Sequence, residues 1–165
     1  MDIFFHVVLG LFLSKNFLNE YNFIVVFFSL LPDLIGAMPF EINKIYRSLK
    51  FKGNKISRYL SFTKRTKVFH EYQKIIYKSS HNLFAWTFFT LFAWIFFKNI
   101  YMVLSVSYFL HLFFDSYTHE GDFSMQPLYP LNFSIKGKSW TLNKKIMLIN
   151  WTFLGVFLIY MKFLK

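Results

Sequence analysis

Apolar stretches separated by short polar breaks run along the chain at about residues 3–13, 23–38, 82–97, 99–114 and 146–161. The run from Leu83 to Phe97 has no polar face, and a helix that is apolar all round is either deeply buried or in lipid. Uncharged runs are short: 16 residues separate His81 from Lys98, and 16 separate Lys145 from Lys162. A spanning helix wants about 20, so the buried helices of a soluble bundle stay open on this count. Counting through ionisable residues lengthens two stretches. Residues 21–40 contain only Asp33, and residues 99–117 only His111 and Asp115.

Between the second and third stretches the pattern changes. Ile42, Ile45, Tyr46 and Leu49 follow helical i, i+3, i+4, i+7 spacing, and Val68, Tyr72, Ile75 and Ile76 form a second stripe beyond Gly53. Residues 41–80 also hold 11 Lys and Arg against Glu41 and Glu71, so they carry +9 of the net charge of +11. Basic residues interleaved with Tyr46, Tyr59, Phe62 and Tyr72 would suit a nucleic acid. Flanked by apolar stretches, they fit better a cytoplasmic loop under the positive-inside rule, whose amphipathic helices meet anionic lipid headgroups.

Composition narrows the class. With 55% hydrophobic and 24% aromatic residues in 165, the chain is one folded domain and not a disordered one. There is no cysteine, which excludes disulfides, thiolate metal sites and cysteine nucleophiles. Asp2 and the lack of a small-residue cleavage site after Leu13 argue against a cleaved signal peptide. Too little polar sequence is present to wrap five apolar segments. The expected fold is therefore all-α: an integral membrane helical bundle of four to five transmembrane helices. It would form a single domain over residues 1–165, with 41–80 as a basic amphipathic cytoplasmic loop. The first segment, short and ended by Lys15, makes the count four or five. The expected location is an inner (plasma) membrane, with anionic lipid as partner and no nucleic acid.

With residues 41–80 on the cytoplasmic side and the segments alternating, His6, Asp33, His81, His111 and Asp115 all fall within about two helical turns of one surface. His111 and Asp115 are i and i+4, on one helical face. Imidazole nitrogen and carboxylate oxygen both suit Zn²⁺ and related ions. Five ligands exceed a four-coordinate structural site, which points to one or two divalent ions, zinc the expected metal, able to activate water. Asp115 and His119 are the catalytic candidates, His119 for proton transfer or contact with phosphate; Glu120 and Asp122 follow beside them. Each residue also has a plainer role: His6 as a buried hydrogen-bonded side chain, Asp33 after Pro32 as a turn or cap, His111 with Asp115 as a hydrogen-bonded pair, and His70 as a surface residue. Other motifs fail. Gly137-Lys138-Ser139 lacks the P-loop glycine, since Asn132 stands there, and His119-Glu120 is followed by Phe123 where a zincin needs histidine.

The block His111-Leu112-Phe113-Phe114-Asp115-Ser116-Tyr117-Thr118-His119-Glu120-Gly121 resembles the H-x3-D-S-[FY]-T-H-x2-G core of the membrane-bound metal-dependent hydrolases, the YdjM-like group and related bacterial and archaeal families. Leu128-Tyr129-Pro130 resembles the L-Y-P element that follows it, Pro32-Asp33 the P-D motif, Ser80-His81 the T-H-S motif, and His6 with Gly10 the N-terminal H-x3-G. Two positions depart: Ile35 stands where a second Asp is frequent, and Asn82 where Ser follows the histidine. The resemblance implies a divalent metal and hydrolysis in a bacterial or archaeal membrane. The expected function is a membrane-embedded metal-dependent hydrolase in which metal-activated water attacks an ester, a phospholipid or other phosphoester. The alternative is a non-enzymatic membrane protein whose polar cluster is structural and whose basic loop binds anionic lipid or a partner.

Overall fold

A computed structural model of the chain describes residues 3–19, 22–50, 71–138 and 144–163. Among these are seven α-helices: α1 (Ile3–Leu18), α2 (Phe23–Gly36), α3 (Met38–Leu49), α4 (Glu71–Ser80), α5 (Leu83–Phe96), α6 (Tyr101–Thr118) and α7 (Lys144–Phe163). A 3-10 turn at Gly121–Phe123 follows α6. Strand-like pairing among the described residues is limited to an isolated antiparallel bridge between Met125 and Ile135.

The all-helical architecture agrees with the periodicity, but the membrane placement does not survive. No described helix is long and apolar enough to cross a membrane. This overturns the expected transmembrane bundle and, with it, the inner-membrane location and the reading of 41–80 as a cytoplasmic loop. The reason is where the apolar stretches break. Residues 21–40 are not one helix: Ala37 divides them, leaving 14 residues in α2. α5 also has 14 residues, about 21 Å of helix, against a hydrocarbon core of about 30 Å. α6 reaches 18 residues but carries Ser105, Ser107, His111, Asp115 and Ser116. The 20 residues of α7 open on Lys144 and Lys145 and close with Lys162 in the last turn.

Helix α2 is the centre of the packing, against α1, α3, α4 and α6; α6 also packs on α1 and α5, and α7 on α1. Phe5, Leu9 and Leu13 of α1, Val25, Phe28 and Leu31 of α2, and Leu104, Tyr108 and Leu112 of α6 form one core with Ala93 and Met125. The approach of α1 to α2 requires Gly10, because a Cβ there would lie 2.7 Å from the Val26 Cα. One turn earlier, the Ser29 hydroxyl donates to the His6 carbonyl at 2.7 Å, so α1 is pinned to α2 beside a histidine.

Local chemistry sets the helix ends. The Asn22 side chain accepts from the Ile24 N–H at 2.9 Å and starts α2. Asn82 does two jobs at the α4–α5 joint. Its Oδ1 accepts from the Ala85 N–H at 2.8 Å, while its Nδ2 donates to the carbonyls of Lys78 and Ser79 at 2.8 and 3.1 Å. After α6 the chain folds back: the Gly137 N–H donates to the His119 carbonyl at 2.9 Å and the Lys138 N–H to the Tyr117 carbonyl at 3.0 Å. The first basic stripe falls on α3, with Ile42, Ile45, Tyr46 and Leu49 exposed and the Lys50 ammonium 4.3 Å over the Tyr46 ring. Of the second, Ile75 and Ile76 lie exposed on α4. Gly53, Val68 and His70 lie outside the described residues. On α5, Ala93 is fully buried, whereas Phe84, Phe88, Leu91, Trp94, Ile95 and Phe96 are exposed.

Candidate metal centre

Four elements deliver the polar residues to one point. His6 comes from the first turns of α1, Asp33 from the last turn of α2, His81 from the α4–α5 joint, and His111 and Asp115 from successive turns of α6. Asp33 is therefore neither turn nor cap, since the helix runs on through Pro32 to Gly36. His6, His81, His111 and Asp115 are essentially fully buried; Asp33 keeps 14% of its side chain exposed, and His119 18%.

Asp33, His81, His111 and Asp115 each offer a ligand atom, all within 4.8 Å of one another, and the group could hold a metal ion. His111 Nε2 lies 3.1 Å from Asp115 Oδ2 and 3.8 Å from Asp33 Oδ1. His81 Nε2 is 3.5 Å from the same oxygen of each carboxylate, and 3.4 Å from His111 Nε2. Ligand atoms about 2.0–2.2 Å from a zinc ion at tetrahedral angles stand about 3.3–3.6 Å apart, so these spacings suit a shared ion.

The outer hydrogen bonds turn the rings the right way. His111 Nδ1 meets the Ser29 carbonyl at 2.7 Å. His81 Nδ1 meets the Tyr77 carbonyl at 3.0 Å and the Ser80 hydroxyl at 2.9 Å, and the Tyr77 ring stacks on the imidazole at 4.0 Å. A carbonyl requires Nδ1 to carry the proton, which leaves each Nε2 lone pair facing the carboxylates. Tyr108 adds a further brace from α6, its hydroxyl donating to the Ser80 carbonyl at 2.6 Å. Gly36 completes the shell: a Cβ there would lie 2.5 Å from Ser80 Oγ and 3.1 Å from His81 Cε1 and Nδ1.

The electrostatics match a cation. Burial alone would raise both carboxyls, but among the described residues the positive field of His111 with hydrogen bonding from His81 at Asp33, and the field and hydrogen bond of His111 at Asp115, act the other way, and each carboxyl lies below the ordinary carboxylate range. Burial would lower His81, yet hydrogen bonding to Asp115 and Asp33 outweighs it and raises the pKa to about 9. Two ionised carboxylates in a buried pocket thus draw a proton onto His81, and one divalent ion would balance the same pair. Burial lowers His119 to about 4, leaving its ring neutral at pH 7 with a lone pair to offer.

All five expected ligands are brought together, together with His119, whose Nδ1 is 3.7 Å from Asp115 Oδ1. His6 stands apart from the four-residue group but reaches Asp115 Oδ1 at 3.4 Å. Glu120 lies just past α6 and is not in the cluster, and nothing is described of the Asp122 side chain. Sequence reasoning missed the supporting residues Ser29, Tyr77, Gly36 and Asn82. Asn82 carried a readable signal, an N-capping residue immediately before an apolar run; the others act through contacts that no local pattern reveals. No family model matches the chain, and no curated protein or solved structure shows significant similarity to it.

Proposed function

We propose that the chain is a metal-dependent hydrolase that cleaves a phosphoester, with Asp33, His81, His111 and Asp115 holding a divalent ion, zinc being the metal best suited to this mixed nitrogen and oxygen set. The observation that carries the reading is the convergence of these four ligand atoms within 4.8 Å in a mostly buried pocket. The resemblance of His111–Gly121 to the membrane-bound metal-dependent hydrolases points the same way on metal and reaction class. A bound divalent ion supplies a lowered pKa for water and stabilisation of phosphoryl charge. The chain's own residues do the rest. Asp115 and Asp33 stay ionised and orient toward the pocket; Ser29 and Tyr77 hold the two rings in the tautomer that exposes Nε2. His119 stands at the solvent-reached edge with a neutral ring that can accept a proton or a cation.

Two features favour a phosphoester with an apolar body, a class that includes phospholipids. A cavity of ≈ 490 Å³ walled by Phe5, Phe113, Phe114, Tyr117 and Phe153 is lined also by Thr118, next to His119, and by Lys136 and Lys138. The two lysines sit on the segment hydrogen-bonded to the end of α6, so positive charge lies near the pocket rim. The exposed apolar stripe of α3 supports contact with a lipid headgroup surface, which needs no crossing helix. The test is metal content of the purified wild type and His111→Ala by mass spectrometry, paired with hydrolysis of bis-p-nitrophenyl phosphate. Stoichiometric zinc, manganese or iron and turnover in the wild type, both lost in the variant, are expected. Absence of metal after loading with divalent ions would overturn the reading and leave the cluster a structural one.

A further inference from the structure

The four-residue group leaves His6 without a role. Its imidazole is fully buried, and neither ring nitrogen has a hydrogen-bond partner among the described residues. Buried polar atoms in that condition are rare in folded proteins and call for an explanation. His6 Nε2 lies 3.4 Å from Asp115 Oδ1, and the ring stacks on His111 with centroids 3.7 Å apart. A neutral imidazole nitrogen and a carboxylate oxygen are both lone-pair donors; facing each other, they repel unless a proton or a cation lies between them. From another side, His119 Nδ1 approaches the same Oδ1 at 3.7 Å.

The geometry around Asp115 is divided. His111, Asp115 and His119 follow at i, i+4 and i+8, so the carboxylate has a histidine on either side along one stripe. Oδ2 faces His111 at 3.1 Å and His81 at 3.5 Å, whereas Oδ1 faces His6 and His119.

We propose that Asp115 bridges two divalent cations, Oδ2 joining His111, His81 and Asp33 on one, and Oδ1 joining His6 and His119 on the other. The proposal rests on the hydrolase reading and deepens it. Paired ions in phosphoryl-transfer sites stand about 3.5–4 Å apart, a separation one carboxylate spans, and together they clamp the attacking and leaving oxygens. Charge favours the same substrate class. Two divalent ions outweigh the carboxylates of Asp33 and Asp115, and a phosphoester anion supplies the missing negative charge. The second position has three protein ligands, leaving room for a substrate oxygen. In this arrangement the His119 lone pair goes to a cation, and its expected part in proton transfer passes to solvent.

The experiment is the Mn²⁺ stoichiometry of the stripped and reloaded full chain, read by mass spectrometry and by low-temperature electron paramagnetic resonance. The wild type is expected to hold two equivalents with an exchange-coupled spectrum. His6→Gln and His119→Gln are each expected to hold one, with the spectrum of an isolated ion. One equivalent in the wild type, or two in either variant, overturns the second position and leaves the first standing; none in the wild type overturns both. Because His6 is buried, His119→Gln, at a partly exposed position, decides the question if His6→Gln does not remain folded.

Discussion

Gly36→Ala is a substitution of one methyl group, away from every ligand atom, that should nevertheless weaken the metal centre. The new Cβ would stand 2.5 Å from Ser80 Oγ and 3.1 Å from two atoms of the His81 ring. An ordinary contact is about 3.4–4 Å, so the hydroxyl must move by close to an ångström and the ring by a few tenths. Ser80 can move only by giving up its hydrogen bonds to the Tyr77 carbonyl at 3.0 Å and to His81 Nδ1 at 2.9 Å. Each is worth about 1 kcal/mol. Alanine returns up to about 1 kcal/mol of helix propensity, so a net loss of about 1 kcal/mol is expected in the metal-free protein. The effect on the ion should be larger, since disturbing the groups that orient a ligating histidine typically costs about 10–100-fold in affinity. Zinc affinity would be measured by competition with a fluorescent chelator, and stability by urea unfolding after chelation. Gly155→Ala, in α7 with no atom within 4 Å of the added Cβ, is the control and should gain up to about 1 kcal/mol with affinity unchanged. Wild-type zinc affinity in Gly36→Ala would refute the claim that this helix end sets the His81 ring.

Four further outcomes follow from the same geometry. In the metal-free protein, His81 is raised to about 9 while His6 and His119 are lowered to about 4 from an ordinary 6.5. The His81 contribution is present in full below pH 6.5 and is lost as pH rises through 9; those of His6 and His119 are present above 6.5 and are lost as pH falls toward 4. The melting temperature of chelated protein should therefore peak near pH 6.5 and fall on both sides, and a steady rise or fall from pH 4 to 9 would contradict the assignment. Apparent metal affinity should rise by about tenfold per pH unit above neutrality, as His81 must lose its proton to bind; titration calorimetry at several pH values would read it. Asn82→Ala removes the cap of α5 and two bonds to the end of α4, and should cost about 1–2 kcal/mol in urea unfolding. Tyr108→Phe removes the 2.6 Å bond to the Ser80 carbonyl and should cost about 1 kcal/mol, with metal content unchanged.

The polar cluster was legible because ionisable residues are sparse in the apolar stretches. His6, Asp33, His81, His111 and Asp115 stood out against Phe and Leu, and the i, i+4 pair could be placed on one helix face without knowing the fold. The topology used to bring them together was a membrane alternation, however, and that premise failed while the clustering held. Both schemes place the same helix ends together, because antiparallel helices joined in sequence order bring alternate ends to one side. Helix boundaries were less legible. A continuous apolar count ran through Ala37, where α2 gives way to α3, whereas the stretch at 82–97 matches α5 to within a residue at each end.

Sequence alone determined that the described residues are mainly helical, that residues 41–80 hold most of the net charge, and which side chains could offer ligand atoms to a metal, because composition and periodicity are local properties. Tertiary structure decided how far each helix runs and which atoms face each other. It set Oδ2 of Asp115 toward His111 and His81, and Oδ1 toward His6 and His119. It also placed the Ser29 and Tyr77 carbonyls behind two of the rings. These are distances between residues as far apart in the chain as His6 and Asp115. They depend on close approaches such as Gly10 against Val26, and packing of that kind leaves no periodic trace in a sequence.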